Sequence, residues 1–467
     1  MAAIAESSPA PGHMAENAAR VVWALAWPAV ALNSLQVINT LLDRGFIGHL
    51  QAAALTAHGA STNVMFLMFS LAMALGTSAT AIVSRAFGAE NHPEVRQASK
   101  QSLGLALIGG FLLAALCFGI APLFASALLP AKDTAAQSEM VGFIRAYCLG
   151  LPAIYLIQVL AGSLRGVGDT RSPMMISGFQ IGLHIILNYL LIFPPHEFLG
   201  LKLPGAGWGL VGAASALSLS AWVSAIAYVL YASRTPLGEQ WRIRLPRLDW
   251  VNRILKIAIP AAVMSVLRVG SLAAFTLVLA SLPGDQGSIA IAAMGTGFAI
   301  ESVMFMPAFG LSMAAASLVG QSLGMKRPDR AERLAWTAGN YGAVVTAALA
   351  IPVFIAAPAI ANLLLGSKVA IASEAANLIR VLCATEILFC YAMTMVGAMQ
   401  GAGDTVRPMW LTIICMWGLR VPLAWMLALP LAMGSMGAWI AMSFTQAVQG
   451  LLSIWMFKQG KWKDKKV

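Results

Sequence analysis

The chain has 467 residues, 59% of them hydrophobic and only 10% charged, with a mean hydropathy of +0.77 and a net charge of +11. An ordinary soluble domain carries about 25% charged residues. The composition therefore excludes a soluble enzyme, a disordered chain and a nucleic-acid binder, and points to a polytopic membrane protein.

Residues 1–20 are small and polar, with Glu6 and Glu16. They lack the basic flank and apolar core of a cleaved signal and read as an N-terminal tail. A spanning helix needs about 20 mainly apolar residues. Runs of that kind predict twelve helices, at 21–43, 55–84, 102–130, 140–163, 173–194, 206–232, 256–282, 290–323, 336–365, 374–399, 408–431 and 434–457. The runs are long and continuous, unlike the short alternating strands of a membrane β-barrel. The predicted class is an all-α membrane protein. Of the 30 Lys and Arg residues, 22 fall in loops and tails on one side and four on the other. The four are Arg44, Lys132, Lys202 and Lys368, and a further four (Arg145, Arg268, Arg380, Arg420) lie in or beside spans. This bias places both termini in the cytoplasm and explains the basic charge as topology rather than nucleic-acid binding. The tail 458–467 reads as an anchor to anionic lipid. Cys117, Cys148, Cys383, Cys390 and Cys415 all sit in predicted spans without zinc or disulfide spacing, and read as packing residues.

The chain repeats itself. SLRGVGDTRSPM at 163–174 matches AMQGAGDTVRPM at 398–409 at an offset of 235. SRAFG at 84–88 aligns with GQSLG at 320–324, offset 236, and Pro28 with Pro260, offset 232. The predicted organisation is a six-helix lobe at 21–232, a cytoplasmic linker at 233–255, a second six-helix lobe at 256–457 and a basic tail at 458–467. The linker reads as a solvated tether. Six helices per copy put both copies in the same orientation, related by a pseudo-two-fold axis along the membrane normal, with a cavity expected between the halves. In the Gly-Asp-Thr loops, Asp169 and Asp404 are suited to capping the next helix, and Pro173 and Pro408 to its first turn.

These residues carry a family resemblance over nearly the whole chain. LLDRGFIGHL, FSLAMALGTSATAIVSRAFGAEN, RGVGDTRSPM with LNYLLIF, IESVMFMPAFGLSMAAASLVGQSLG and RPM…LRVPLAW occur in the right order for the multidrug and toxic compound extrusion (MATE) family. The first-helix Asp and fifth-helix Asn resemble the branch related to the DNA-damage-inducible protein F. The resemblance implies a secondary efflux transporter of the bacterial inner membrane. It implies antiport of amphipathic organic compounds by alternating access, driven by protons or by sodium, with the proton favoured. It implies a small-molecule substrate and a monomer in the bilayer, with no cofactor, no resident metal and no enzymatic role. A flippase for a lipid or lipid-linked saccharide stays open as an alternative, because Arg268, Arg380 and Arg420 supply cations.

Charged groups inside spans are costly and so mark candidate sites. Asn33, Gln36, Thr40 and Asp43 fall on one face of the first helix, with Asn39 four residues before Asp43. A carboxylate among amides at membrane depth can exchange a proton near neutral pH, or ligate sodium. The alternative for Asp43 is an interfacial residue paired with Arg44. His184 and Asn188, at i and i+4 on the fifth helix, share a face and complete the expected ion-coupling set. His184 departs from the family's usual Asn. In the second lobe Arg268, Glu301 and Glu386 are expected in the substrate cavity, or paired with one another as Arg268–Glu386 or Arg268–Glu301. Met304, Met306 and Met393 are expected to line the cavity as adaptable apolar groups. Pro28 and Pro260 are the expected hinges. No Walker A motif is present, which excludes ATP-driven export by this chain alone.

Overall fold

The computed structural model describes residues 18–198, 201–238, 240, 245–366 and 368–465; the tail before residue 18 and Arg242, Arg244 and Lys466 lie outside them. The first half holds α1 (Ala18–Ile47), α2 (Ala52–Gly88), α3 (His92–Leu128), α4 (Thr134–Gly166), α5 (Arg171–Ile192) and α6 (Gly209–Ala232). The only strands among the described residues are β1 (His196–Phe198) and β2 (Leu201–Leu203), an antiparallel hairpin between α5 and α6. The second half holds α7 (Leu248–Ala280), α8 (Gln286–Gly324), α9 (Pro328–Leu365), α10 (Val369–Cys383), α11 (Glu386–Gly401), α12 (Val406–Thr412), a π-helical stretch at Ile413–Arg420, α13 (Val421–Ala428) and α14 (Gly434–Lys458). Eleven spans are long and apolar enough to cross a bilayer, or twelve when α10 and α11 count as one. The expected continuous tenth helix at 374–399 is instead broken, bending 55° where α10 meets α11.

The chain divides into two compact units, residues 31–258 (the first unit) and residues 1–30 with 259–467 (the second). This differs from lobes at 21–232 and 256–457. The boundaries fall inside α1, just past Pro28, and inside α7, just before Pro260. The start of α1 belongs to the second unit because Val22 and Ala26 are buried in its core beside Leu311, Ala314 and Ala315, and Gly310 leaves room for Val30.

Small residues let helices approach closely within each unit, as membrane bundles require. In the first unit a Cβ on Gly162 would collide with the Gly76 carbonyl, and Thr80 Oγ1 donates to the Gly162 carbonyl at 2.9 Å. In the second, Gly397 occupies the equivalent place against Ser312, whose Oγ donates to the Met393 carbonyl at 2.8 Å. The repeat extends to backbone angles. Gly168 and Gly403 have φ of +91° and +84°, and Glu90 and Lys326 both have φ of +56°. Only glycine adopts such angles at no steric cost, which accounts for the Gly-x-Gly-Asp-Thr pattern.

Two expectations need correction. The stretch after α6 is not a plain tether. Leu237 and Gln240 are fully buried, Ser99 Oγ donates to Gln240 Oε1 at 3.1 Å, and Arg253 reaches Glu94 at 2.6 Å. The C-terminal tail is likewise docked rather than free for lipid. Trp462 is fully buried and stacks on Phe457 at 4.7 Å, while Lys463 pairs with Glu332 at 2.5 Å and Lys465 approaches Asp404 at 3.8 Å. Asp404, 1% exposed, is held by Lys465 and Arg407. Asp169 does cap α5, accepting from the Ser172 backbone N–H at 3.0 Å.

Candidate functional site

The most complete polar constellation lies within the first unit, between α1 and α5. Along α5 the buried positions Ser177, His184, Asn188 and Ile192 fall on one helical face. Ser177 is fixed to Tyr228 Oη of α6 at 2.8 Å, and Tyr228 donates to the Pro173 carbonyl at 2.9 Å. Gly178 admits Leu35 of α1 at van der Waals distance. These contacts orient His184 and Asn188 toward α1.

Asp43 receives two amides. Asn188 Nδ2 donates to Oδ1 at 2.5 Å, and Asn39 Nδ2 donates to Oδ2 at 3.4 Å. His184 Nδ1 lies 3.1 Å from Asn39 Oδ1 and 3.8 Å from Asp43 Oδ1. Because the Asn39 amide gives its N–H to the carboxylate, its carbonyl faces the ring, which requires a proton on His184 Nδ1. Asn39 thus bridges acid and imidazole. His184 and Asn188 are buried, at 3% and 1% exposure, whereas the Asp43 side chain is 25% exposed. Toward the end of α1, Phe46, His49 and Tyr189 pack edge-on around Phe193 at 5.8–6.3 Å. Sequence reasoning missed these aromatics, which are too common in spans to stand out.

The expected polar stripe is only partly assembled. Asn39, rather than Asn33, Gln36 or Thr40, meets α5. Thr40 turns its hydroxyl back to the Gln36 carbonyl at 3.0 Å, and Asn33 Nδ2 is buried without a hydrogen-bond partner. Asp43 forms no ion pair with Arg44 among the described residues.

In the second unit Gln446 Nε2 donates to Glu301 Oε1 at 3.1 Å, and Arg420 Nε donates to Thr445 Oγ1 at 3.0 Å. Neither expected pairing of Arg268 is formed among the described residues, and Arg268 Nε is buried without a hydrogen-bond partner. Glu386 is 1% exposed at the first turn of α11, where the helix dipole favours an acid, and its Oε2 has no partner. Met304 and Met393 are core residues, at 1% and 7% exposure, and do not line an open surface; Met304 packs against Cys383 Sγ at 3.9 Å. Met306 is half-buried. All five cysteines are buried and unpaired with one another, and no metal-binding cluster occurs among the described residues.

Two apolar-rich six-span units, each with an intramembrane acid, narrow the reading to transport, and the comparisons with known proteins decide the family. The MatE family model matches residues 28–190 and 260–426. The chain belongs to the MATE family. Its members are membrane transporters, not enzymes, and this chain is accordingly a multi-pass membrane transporter. It is 28% identical over 451 residues to a probable multidrug resistance protein NorM of Thermotoga maritima, covering 95% of this chain and 93% of that protein. It is 29% identical over 329 residues to a protein of Shewanella oneidensis named FAD transporter, covering 69% of each. Among solved structures, an outward-facing multidrug resistance MATE family transporter aligns with a TM-score of 0.86 at 22% identity, covering 95% of this chain and 96% of that one. The fold is shared.

Proposed function

We propose that this MATE transporter exports amphipathic organic compounds by cation-coupled antiport, with Asp43 as the group that carries the coupling proton. The observation that carries the reading is the Asp43–Asn39–His184–Asn188 constellation, in which both amides donate to the carboxylate. That is the arrangement of an ionised acid. Protonation removes the charge that both amides answer and puts a hydrogen on one carboxyl oxygen, so the inter-helix bond from Asn188 of α5 loses its charge assistance or has to be remade with the amide turned over. A hydrogen bond to a charged group is worth about 1.5–3 kcal/mol. Its weakening loosens α1 from α5 and gives the two protonation states different structures, as coupling demands. Asn39 and Asn188 present N–H groups rather than oxygens, which favours the proton over sodium.

Pro28 and Pro260 are the proposed hinges. Each removes one backbone hydrogen bond from a long helix, and each lies within two residues of a unit boundary. The basic excess supports a reading with both termini in the cytoplasm and the chain in a bacterial inner membrane, working there as a monomer. The similarity to proteins named multidrug resistance proteins supports export of drug-like compounds. A second reading, export of an organic anion, is favoured by the unpartnered Arg268 and by the relative named FAD transporter.

The test is efflux from proteoliposomes of a cationic dye and, separately, a flavin nucleotide, under a proton gradient and then a sodium gradient. Proton-driven dye efflux that Asp43→Asn lowers at least about tenfold supports the reading. Full-rate efflux by Asp43→Asn contradicts it.

A further inference from the structure

The span pair α3–α4 carries a charged group that transport, as proposed above, does not use. Arg145 lies eleven residues into α4 and is exposed, with its guanidinium over the Phe118 ring at 5.1 Å. Among the described residues it makes no ion pair or hydrogen bond. It borders a groove of about 470 Å³ whose wall includes Pro122 of α3 and Thr134, Gln137 and Ser138 of α4. Positions 134, 138, 141 and 145 recur at helical spacing, so a hydroxyl-bearing face leads from the start of α4 down to the guanidinium. Gln137 is already tied to the Pro130 carbonyl at 3.0 Å and forms wall rather than donor.

The second unit repeats the feature. FIRAYC at 143–148 aligns with LIRVLC at 378–383, which sets Arg380 opposite Arg145 at the repeat offset of 235. Arg380 is also eleven residues into its helix, α10, and also exposed without an ion pair among the described residues. Pro122 and Ser138 have counterparts in Pro358 and Ser373. A packing accident has no reason to recur at the same depth in both units.

Depth identifies the ligand. Eleven residues at 1.5 Å rise put the Arg145 Cα about 16 Å from the start of α4. The 33-residue helix is about 50 Å long against a hydrocarbon core of about 30 Å. If its ends protrude equally, Arg145 sits only about 6 Å beneath the hydrocarbon edge, within snorkelling reach of the headgroup layer. An exposed, unpaired guanidinium there needs an anion, and its planar fork suits phosphate oxygens. We propose that the Arg145 groove is a binding site for the phosphate diester of a phospholipid headgroup, with Ser138 and Thr134 hydroxyls beside it, and that Arg380 forms a smaller counterpart. With the basic ends of the units inside, the lipid belongs to the outer leaflet.

The experiment is native mass spectrometry of the full chain in detergent, titrated with phosphatidylglycerol, with a diacyl glucolipid that lacks phosphate, and with inorganic phosphate. Wild type should retain two phosphatidylglycerol molecules in preference to the glucolipid. Arg145→Gln should weaken one by about tenfold, the change expected for loss of a bidentate charged contact. Arg380→Gln should weaken the other, and the double variant both. Arg145→Lys, which keeps the charge but not the fork, should fall between and carries the test should Arg145→Gln not fold. Equal phosphatidylglycerol retention by wild type and the Arg145 variants, or equal retention of the glucolipid, overturns the proposal. Displacement of the lipid by millimolar inorganic phosphate also overturns it, by assigning the groove to a soluble anion.

Discussion

The two units share a frame and exchange their polar groups. At the offset of 232 that relates Pro28 to Pro260, Asp43 of the first unit corresponds to Phe275 of the second, fully buried against Trp439. At the offset of 235, Asn188 corresponds to Leu423, and the fully buried Leu151 corresponds to Glu386. The first unit therefore has an acid where the second has a phenyl ring, and an alkyl group where the second has an acid. Their surroundings differ too. Asp43 has two amide donors, a nearby imidazole and partial exposure, whereas Glu386 is sealed with an unpartnered oxygen at a helix break. A group that exchanges protons needs both a path and partners that respond to its charge. The first unit supplies them at Asp43; in the second, the visible partners belong to Glu301.

The comparison can be broken or sharpened by stability measurements in detergent. The largest effect is expected at the docked tail. Trp462→Ala removes a fully buried indole and should cost about 3–5 kcal/mol. A cost near zero would mean that the tail is undocked in solution and that the second unit ends differently. Next come the helix crossings. Gly162→Ala and Gly397→Ala should each cost about 1–3 kcal/mol, because the added carbon meets a neighbouring helix at equivalent places. Unequal costs would show that the two frames are not equivalent there. Glu386→Leu, which copies Leu151, should stabilise by about 1–3 kcal/mol by removing a buried unpartnered polar atom. A loss of stability instead would reveal a partner for Glu386. The smallest effect is at the partly exposed pair on the tail. Lys463→Glu should cost about 0.2–1 kcal/mol, recovered when combined with Glu332→Lys.

Much of this was legible in the sequence because it depends on local chemistry. Twenty-residue apolar runs require helices, the Gly-Asp-Thr repeat announces two similar frames, and an Asp with a His and Asn at i and i+4 stands out where charge is costly. What was not legible depends on tertiary choice. Asn39 and the Asn33–Gln36–Thr40 stripe occupy adjacent faces of α1, and only the packing against α5 decides which one meets His184. The break before Glu386 has neither proline nor glycine to mark it. Met304 and Met393 look the same in sequence whether they line a cavity or fill a core. The tail reads as a lipid anchor from its lysines, but the burial of Trp462 against Phe457 docks it on the protein instead. The unit boundary inside α1 lies where an apolar first half, ending near Pro28, gives way to a more polar second half, but neither feature reveals that Val22 and Ala26 pack in the other unit's core.

The most direct test of the central claim is substrate-driven proton movement in proteoliposomes, followed with a pH-sensitive dye for wild type, Asp43→Asn and Glu386→Gln. Adding substrate to wild type and to Glu386→Gln should move protons, and adding it to Asp43→Asn should not, with substrate binding retained in all three. Proton movement that persists in Asp43→Asn and disappears in Glu386→Gln would contradict the account and place the exchange in the second unit.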